Sequence, residues 1–283
     1  MYRIIVPVDF SEESLYGLEL AILFANKAAC KIEMVYVQKK SLDYNPGPKD
    51  GEIKYAEKEF FKIQEKYKKN IHTKSELVYI IKSGRIYREI VNQANSFKDS
   101  FIVASTHGAS DFEKFFIGSN AFKIISSTIK PVITIRGNTI PKKINKIILP
   151  LDISVDTRQK VPFTAELAKL FNAEVHVITI TSLQTDDISK KLSAYSKQVC
   201  EYLDNQGIKN KSDALIGSKL TDIVLDYSDK VKADLISIMT EQVSDSNFIL
   251  GTAAQEMLNK SNVPILSINP KELHLSEAFR TQG

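Results

Sequence analysis

A glycine-containing segment between an apolar run and a helical pattern is the part of the sequence best suited to chemistry. The run Ile102–Ser105 comes shortly before Gly108, and Gly118-Ser119-Asn120 then opens a helical pattern. Glycine lets the backbone approach an anion closely, and the free N–H groups at a helix N-terminus point at it. The pattern predicts a phosphate-binding loop. A tight turn with a Gly-Ser helix cap and no ligand would give the same pattern.

The elements that must position this loop occur twice in the chain. The segment Ile4–Asp9 returns as Ile147–Asp152, and Gly118-Ser119 returns as Gly251-Thr252. In each repeat, short apolar strands alternate with helical patterns, which favours a parallel sheet covered by helices on both faces. In the first repeat we predict a helix over Glu12–Ala28 with Ser11 as its N-cap. We predict domains over residues 1–138 and 144–270 and a C-terminal tail over 271–283.

Polar residues at the strand ends indicate where a ligand would bind. Open parallel sheets bind ligands beyond the carboxyl ends of their strands, where the strand order reverses. Asp9 ends the first strand, Val37 ends the second, and Ser105 to Gly108 end the fourth. If the first and fourth strands are neighbours, these residues converge on one crevice. The carboxylate of Asp9 could then accept hydrogen bonds from a ribose hydroxyl or an adenine amino group, or it could cap the following helix.

Composition and missing motifs exclude several classes of protein. The chain has 283 residues, a net charge of +4 and two cysteines, too few for a disulfide framework or a cysteine metal site. The basic residues are interleaved with acidic ones, and no apolar run could span a membrane. We therefore expect a cytoplasmic protein that binds neither nucleic acid nor membrane. The motifs of serine hydrolases, motor-type NTPases and NAD-binding proteins are absent. His107 is the one histidine beside the glycine loop.

Two motifs together resemble the universal stress protein family. They are Val6-Pro7-Val8-Asp9-Phe10-Ser11 and Ser105-x2-Gly108-x9-Gly118-Ser119. The nucleotide-binding branch of that family carries Gly-x2-Gly-x9-Gly-[Ser/Thr], so Ser105 departs from the pattern at the first position. Asp111 places a negative charge where neutral residues are usual, and it would either help to hold Mg²⁺ or weaken triphosphate binding. The resemblance covers both repeats, as in a tandem member of the family.

The resemblance implies a fold and a ligand. It implies two tandem Rossmann-like domains of the adenine nucleotide α-hydrolase-like type. Each would be a five-stranded parallel sheet of order 3-2-1-4-5 with helices on both faces. It also implies ATP or another adenine nucleotide, with or without Mg²⁺, in the crevice. Pro7 and Val8 would line the base, Asp9 would meet the ribose or base, and the Val37 backbone would meet the adenine edge. The phosphates would be held by Ser105, Gly108, Gly118, Ser119 and Asn120.

The second repeat lacks most of this motif. By sequence spacing, Ile238 and Glu241 replace the first two loop glycines, and only Gly251-Thr252 remains. A branched side chain blocks close backbone approach, and a carboxylate repels phosphate. We therefore expect the second repeat to bind ATP weakly or not at all, although Asp152 persists.

Three functions are compatible with this sequence. The first is a stress-response protein that senses an adenine nucleotide and regulates, with no catalytic residues. The second is a slow ATPase or nucleotide hydrolase that uses His107 or a bound metal. The third is an interaction protein that binds no nucleotide. The last strands of the two repeats are edge strands, so we expect them to pair within the chain. Further dimerisation is left open.

Overall fold

The computed structural model describes residues 2–38, 50–106, 117–183, 185–240 and 250–270. Within these ranges the first half contains five strands and four α-helices. The strands are β1 (Tyr2–Pro7), β2 (Cys30–Gln38), β3 (Glu76–Ser83), β4 (Ser100–Ser105) and β5 (Val132–Ile135). The helices are α1 (Glu12–Ala25), α2 (Asp50–Tyr67), α3 (Ile86–Asn95) and α4 (Ser119–Ser127), and a short 3-10 turn over Lys68–Asn70 follows α2.

The second half repeats the same succession of elements. Its strands are β6 (Lys146–Leu151), β7 (Glu174–Thr181), β8 (Asn210–Ile216), β9 (Leu235–Met239) and β10 (Ile265–Ile268). Its helices are α5 (Val161–Phe171), α6 (Asp186–Asn205), α7 (Leu220–Val231) and α8 (Thr252–Lys260), and a 3-10 turn over Asp156–Arg158 precedes α5.

The ten strands form one sheet of order β3-β2-β1-β4-β5-β10-β9-β6-β7-β8. Each half therefore has the strand order 3-2-1-4-5, with parallel neighbours, which confirms the predicted fold class. The halves meet where β5 lies antiparallel to β10, with Thr134 opposite Ile265 and Val132 opposite Ser267. The positions of the domain boundaries stay a prediction. The predicted tail over 271–283 lies outside the described residues.

Continuous apolar strands are buried on both faces of this sheet. Ile4 and Val6 point into a cluster on the face covered by α1, α2, α5 and α6, and Ile5 points into the cluster on the opposite face. The first cluster runs across both halves, because Phe24 of α1 packs edge-on against Phe171 of α5 at 5.0 Å between ring centres. One helix layer thus bridges the two halves.

The first helix shows how the sequence sets its ends. Ser11 accepts a hydrogen bond from the Ser14 N–H at 3.1 Å, which confirms Ser11 as the N-cap. The helix ends at Ala25, three residues before the predicted end. Asn26 leaves the helix because its side chain binds a later loop: it donates to the Asn70 carbonyl at 2.8 Å and accepts from the His72 N–H at 2.8 Å.

Candidate functional site

A cleft lies at the carboxyl ends of β1 and β4, which are neighbours in the sheet. At this point the chain order reverses, which is where open parallel sheets bind ligands. Several of the predicted site residues line the cleft together: Pro7, Val8, Asp9, Val37, Ser105 and Asn120. The topology therefore brings them together from strands β1, β2 and β4 and from helix α4.

The remaining predicted residues have different positions. Gly118 is the N-cap of α4 and Ser119 is its first residue, immediately before Asn120. They stand at the helix end that reaches the cleft but are not among its lining residues. Gly108 lies outside the described residues, as do His107, Asp111 and Glu241. The binding roles of all these residues stay a prediction.

The turn that carries Asp9 is fixed by hydrogen bonds of its own. The Asp9 carboxylate oxygen Oδ1 accepts from the Ser11 N–H at 3.1 Å and from the Ser11 hydroxyl at 2.5 Å. Ser11 in turn caps α1, so Asp9 supports the helix cap and is not the cap itself. Asp9 is exposed at the mouth of the cleft. Its position thus allows a ligand hydroxyl or amino group to reach the carboxylate.

The aromatic ring of Phe10 fixes this turn through contacts with other rings. Phe10 has a φ of 66°, a left-handed conformation that is uncommon for a residue with a side chain. Its ring packs against Tyr36 at 4.9 Å and Phe60 at 5.0 Å between ring centres. Such strain persists where surrounding contacts fix the residue, and it is concentrated at functional sites.

Some cleft residues were missed by the sequence reasoning. Tyr36 lines the cleft beside Val37, and its hydroxyl donates to Glu52 at 2.8 Å. Burial and this carboxylate raise the pKa of Tyr36 to about 12, so the phenol stays protonated at neutral pH. Ser14 also lines the cleft and accepts from the Asp9 N–H at 3.4 Å. The only sequence signals were the position of Tyr36 next to Val37 and that of Ser14 one turn into α1.

The N-terminus of α4 gives the cleft an end of positive potential. No acidic residue lies in the first turn of α4, and the N-cap Gly118 has no side chain to occupy the first N–H groups. These groups have no acceptor within a helix, and the helix dipole adds to their attraction for an anion. Apolar Val8, Val37 and Ile124 form the other wall. The cleft therefore combines an anion-binding end with an apolar wall and one carboxylate.

The second half repeats the turn but changes the cleft. Asp152 Oδ1 accepts from the Ser154 N–H at 2.8 Å, and Thr157 Oγ1 accepts from the Asp152 N–H at 3.1 Å. These contacts match those of Asp9 with Ser11 and Ser14. The lining of this cleft includes Lys160, however, which is only 2% exposed.

The structure also corrects the position of Ile238. The Thr106 N–H bonds the Ile135 carbonyl, and the Thr240 N–H bonds the Ile268 carbonyl in the same way, each at 2.9 Å. Thr240 is therefore the counterpart of Thr106, and Met239, not Ile238, is the counterpart of Ser105. Ile238 matches the buried Ala104, because the loop that follows is one residue shorter in the second half. Met239 is among the residues that line the cleft, so a longer side chain stands where the first half has Ser105.

Comparison with known proteins decides the family. The family model described as the universal stress protein family matches residues 1–136. This domain belongs to the universal stress protein family. A search of curated proteins gives no match.

Solved structures show the tandem fold over almost the whole chain. A universal stress protein from Archaeoglobus fulgidus superposes with a TM-score of 0.74 at 18% identity, covering 94% of this chain and 98% of that one. A candidate universal stress protein from Pseudomonas aeruginosa gives a TM-score of 0.61 at 14% identity, covering 95% and 93%. These matches establish the shared fold of both halves. In the part of the chain that the structure describes, no helix is long and apolar enough to cross a bilayer.

Proposed function

We propose that the protein binds ATP or another adenine nucleotide in the N-terminal cleft and acts as a stress-related sensor or regulator. The observation that carries the proposal is the common opening of the α4 N-terminus and the Asp9 turn onto one cleft. An adenine nucleotide presents an anion at one end, a ribose in the middle and a flat apolar base at the other. The cleft offers a matching group for each part.

Each group has a distinct task in this proposal. The first N–H groups of α4, after Gly118, bind phosphate oxygens. The Asp9 carboxylate accepts from a ribose hydroxyl or the adenine amino group. Val8 and Val37 pack against the base, and Val37 presents its backbone to the adenine edge. Ser105, at the end of β4, adds a hydroxyl where the family pattern has glycine.

The metal is assigned to the nucleotide rather than to the protein. Among the residues that the structure describes, no group of three histidine, cysteine or acidic side chains is placed to hold a metal ion. We propose that a Mg²⁺ ion enters with the phosphates of ATP, whose charge it offsets. In this proposal the described side chains of the cleft position a nucleotide. A sensor has to bind the nucleotide but does not need catalytic groups.

The experiment that tests binding compares the thermal unfolding of nucleotide-stripped protein alone and with Mg-ATP, ADP or AMP. A ligand at roughly 100 times its Kd adds about 2.7 kcal/mol to the free energy of unfolding. A stabilisation by one of these nucleotides supports the proposal, and no stabilisation by any of them favours an interaction protein without nucleotide.

A second measurement separates sensing from hydrolysis. Release of ADP or AMP from ATP is followed with the wild-type protein and with the His107→Ala variant. A sensor gives release at the background rate. Release above background that is lost in His107→Ala would establish the slow hydrolase instead.

We also propose that the β5–β10 pairing holds the two halves together in solution. Main-chain pairing of these strands covers two edges that would otherwise be open to association. Homodimerisation through other surfaces stays open, and the molar mass in solution measures it.

A further inference from the structure

The C-terminal cleft contains a buried cation. The Lys160 side chain is 2% exposed and lines the cleft. Its ammonium nitrogen Nζ donates to the Thr157 carbonyl at 2.6 Å and to Thr157 Oγ1 at 3.3 Å. In the described part of the chain it forms no ion pair with a carboxylate. A buried charge with neutral partners alone is costly, so natural proteins rarely keep one without a use.

The nearby carboxylates are held by other groups. Asp152 accepts from the Ser154 N–H, and Asp156 Oδ1 accepts from the Gln159 amide at 2.5 Å. Burial lowers the pKa of Lys160 to about 8, and the attraction by Asp152 offsets this effect only in part. Among the residues that the structure describes, no acceptor is bonded to the third N–H of the ammonium, which leaves it for an acceptor from outside the chain.

The rest of the cleft suits a small molecule with one anionic end. Helix α8 opens onto it through Ala253 and Ala254, with no acidic residue in its first turn. The wall is apolar, with Ile180, Val224 and Met257. The cleft volume of about 250 Å³ far exceeds what a single water molecule requires.

The first half has no equivalent of this cation. Lys160 is eight residues after Asp152, as Gly17 is eight residues after Asp9. A Cβ at Gly17 would lie 3.1 Å from the Ser105 nitrogen, so a side chain has no room there. The two clefts therefore offer different chemistry, and a ligand of the second does not have to resemble a nucleotide.

We propose that the C-terminal cleft binds a small molecule that carries a single anionic group, carboxylate or phosphate, on an apolar body, and that Lys160 Nζ contacts that group. The anionic end lies between the ammonium and the N-terminus of α8, and the apolar body lies against Ile180, Val224 and Met257. Met239 stands at the position that Ser105 has in the first half, and its larger side chain leaves less room there for a polyphosphate chain.

The test uses the full chain with benzoate and phenyl phosphate as probes, which contain no adenine, and benzyl alcohol as the uncharged control. Calorimetry measures binding, and NMR of the lysine side chains follows Lys160. We expect at least one anionic probe to bind once per chain and to shift the Lys160 signal, which is identified by its absence in Lys160→Met. Loss of a charge-assisted contact should weaken binding about tenfold or more in Lys160→Met. Lys169→Met, at an exposed site on α5, should bind as the wild type does.

The two anionic probes also distinguish carboxylate from phosphate recognition. The proposal is overturned if neither probe binds at millimolar concentration, if benzyl alcohol binds as well as benzoate, or if Lys160→Met keeps the wild-type affinity. If Lys160→Met does not fold, the Lys160 signal is identified in the wild type by sequential assignment, and a signal that stays in place at probe saturation overturns the proposal. Gly118→Asp should leave probe binding unchanged, since a loss there would place the probes in the N-terminal cleft.

Discussion

Gly17 and Lys160 occupy equivalent positions in the two halves of the chain. Gly17 lies within α1 and lets that helix pack directly on the end of β4, whereas Lys160 precedes α5 and extends its side chain into the cleft. The two helices also begin at different points. Helix α1 starts at Glu12, directly after its cap, while a 3-10 turn over Asp156–Arg158 delays α5 until Val161. The exchange of glycine for lysine at this repeated position therefore gives the two similar clefts different chemical groups.

The close approach at Gly17 predicts a loss of stability in Gly17→Ala. The new Cβ would meet backbone atoms of Ala104 and Ser105 at 3.1 to 3.3 Å, and backbone yields less readily than a side chain. We expect the free energy of unfolding to fall by about 1–3 kcal/mol, as in other overpacked sites. The control is Gly51→Ala on α2, where nothing lies within 4 Å and alanine should stabilise by roughly 0.5–1 kcal/mol. Urea denaturation of both variants checks this, and an unchanged or raised stability in Gly17→Ala contradicts the packing.

Burial of Lys160 predicts a pH dependence of stability. Its pKa is lowered from 10.5 to about 8, so the unfolded chain holds the proton between these values while the folded chain does not. Below pH 8 the charge is present in both states and its burial costs about 3 kcal/mol. This cost disappears as the pH rises from 8 to 10.5.

Comparison with Lys160→Met isolates this effect from other titrating groups. Tyr67 and other tyrosines also have raised pKa values, and their ionisation at high pH lowers the stability of the protein. This loss is the same in the wild type and in Lys160→Met. We expect Lys160→Met to be the more stable protein at pH 7 and the difference to shrink toward pH 10.5. A difference that stays constant over this range would show that Lys160 is not a buried cation.

The Asp9 turn predicts a specific effect on nucleotide affinity. Asp9→Asn keeps the size of the side chain but removes the charge that receives a ribose or adenine donor. A hydrogen bond to a charged group contributes about 1.5–3 kcal/mol, so the Kd for ATP should rise by roughly 10- to 100-fold. Asp152→Asn changes the equivalent turn of the second half and is the matched control. It should leave the Kd for ATP unchanged, and equal losses in the two variants would contradict a nucleotide site confined to the first half.

The buried side-chain amide of Asn269 links the two halves, and its removal should lower the stability of the protein. Asn269, 5% exposed, donates to the Ile125 carbonyl at 2.6 Å and to the Thr128 carbonyl, and it accepts from the Thr240 hydroxyl. Asn269→Leu leaves buried carbonyls of α4 without a partner, which should cost about 2–4 kcal/mol. Asn92→Leu, at an exposed site on α3, should change stability by less than about 0.5 kcal/mol. Equal stabilities in thermal unfolding would argue that this bond does not hold the halves together.

The internal repeat and the residues at the strand ends were enough to predict most of the fold and of the cleft from the sequence. Alternating apolar runs and helical patterns predicted a parallel sheet, and the family resemblance implied its strand order, which brings Asp9 and Ser105 to one cleft because β1 and β4 are neighbours. The register of β9 could not be predicted. Its run Leu-Ile-Ser-Ile-Met has no residue that marks the strand end, and the shorter loop behind it shifts the alignment by one residue. Lys160 was missed because a basic residue near a helix start usually faces solvent, whereas this position faces the sheet in both halves.

The most direct test of the account is a titration of nucleotide-stripped protein with Mg-ATP in the wild type, Gly118→Asp and Gly118→Asn. Gly118 already has the extended backbone of an N-cap, and aspartate and asparagine are both favoured there, so both variants should fold. They differ by one charge at the α4 N-terminus. We predict one site per chain in the wild type, no measurable binding in Gly118→Asp and retained, weaker binding in Gly118→Asn. Two equivalent sites per chain, or an affinity unchanged in Gly118→Asp, would contradict a nucleotide site at the α4 N-terminus.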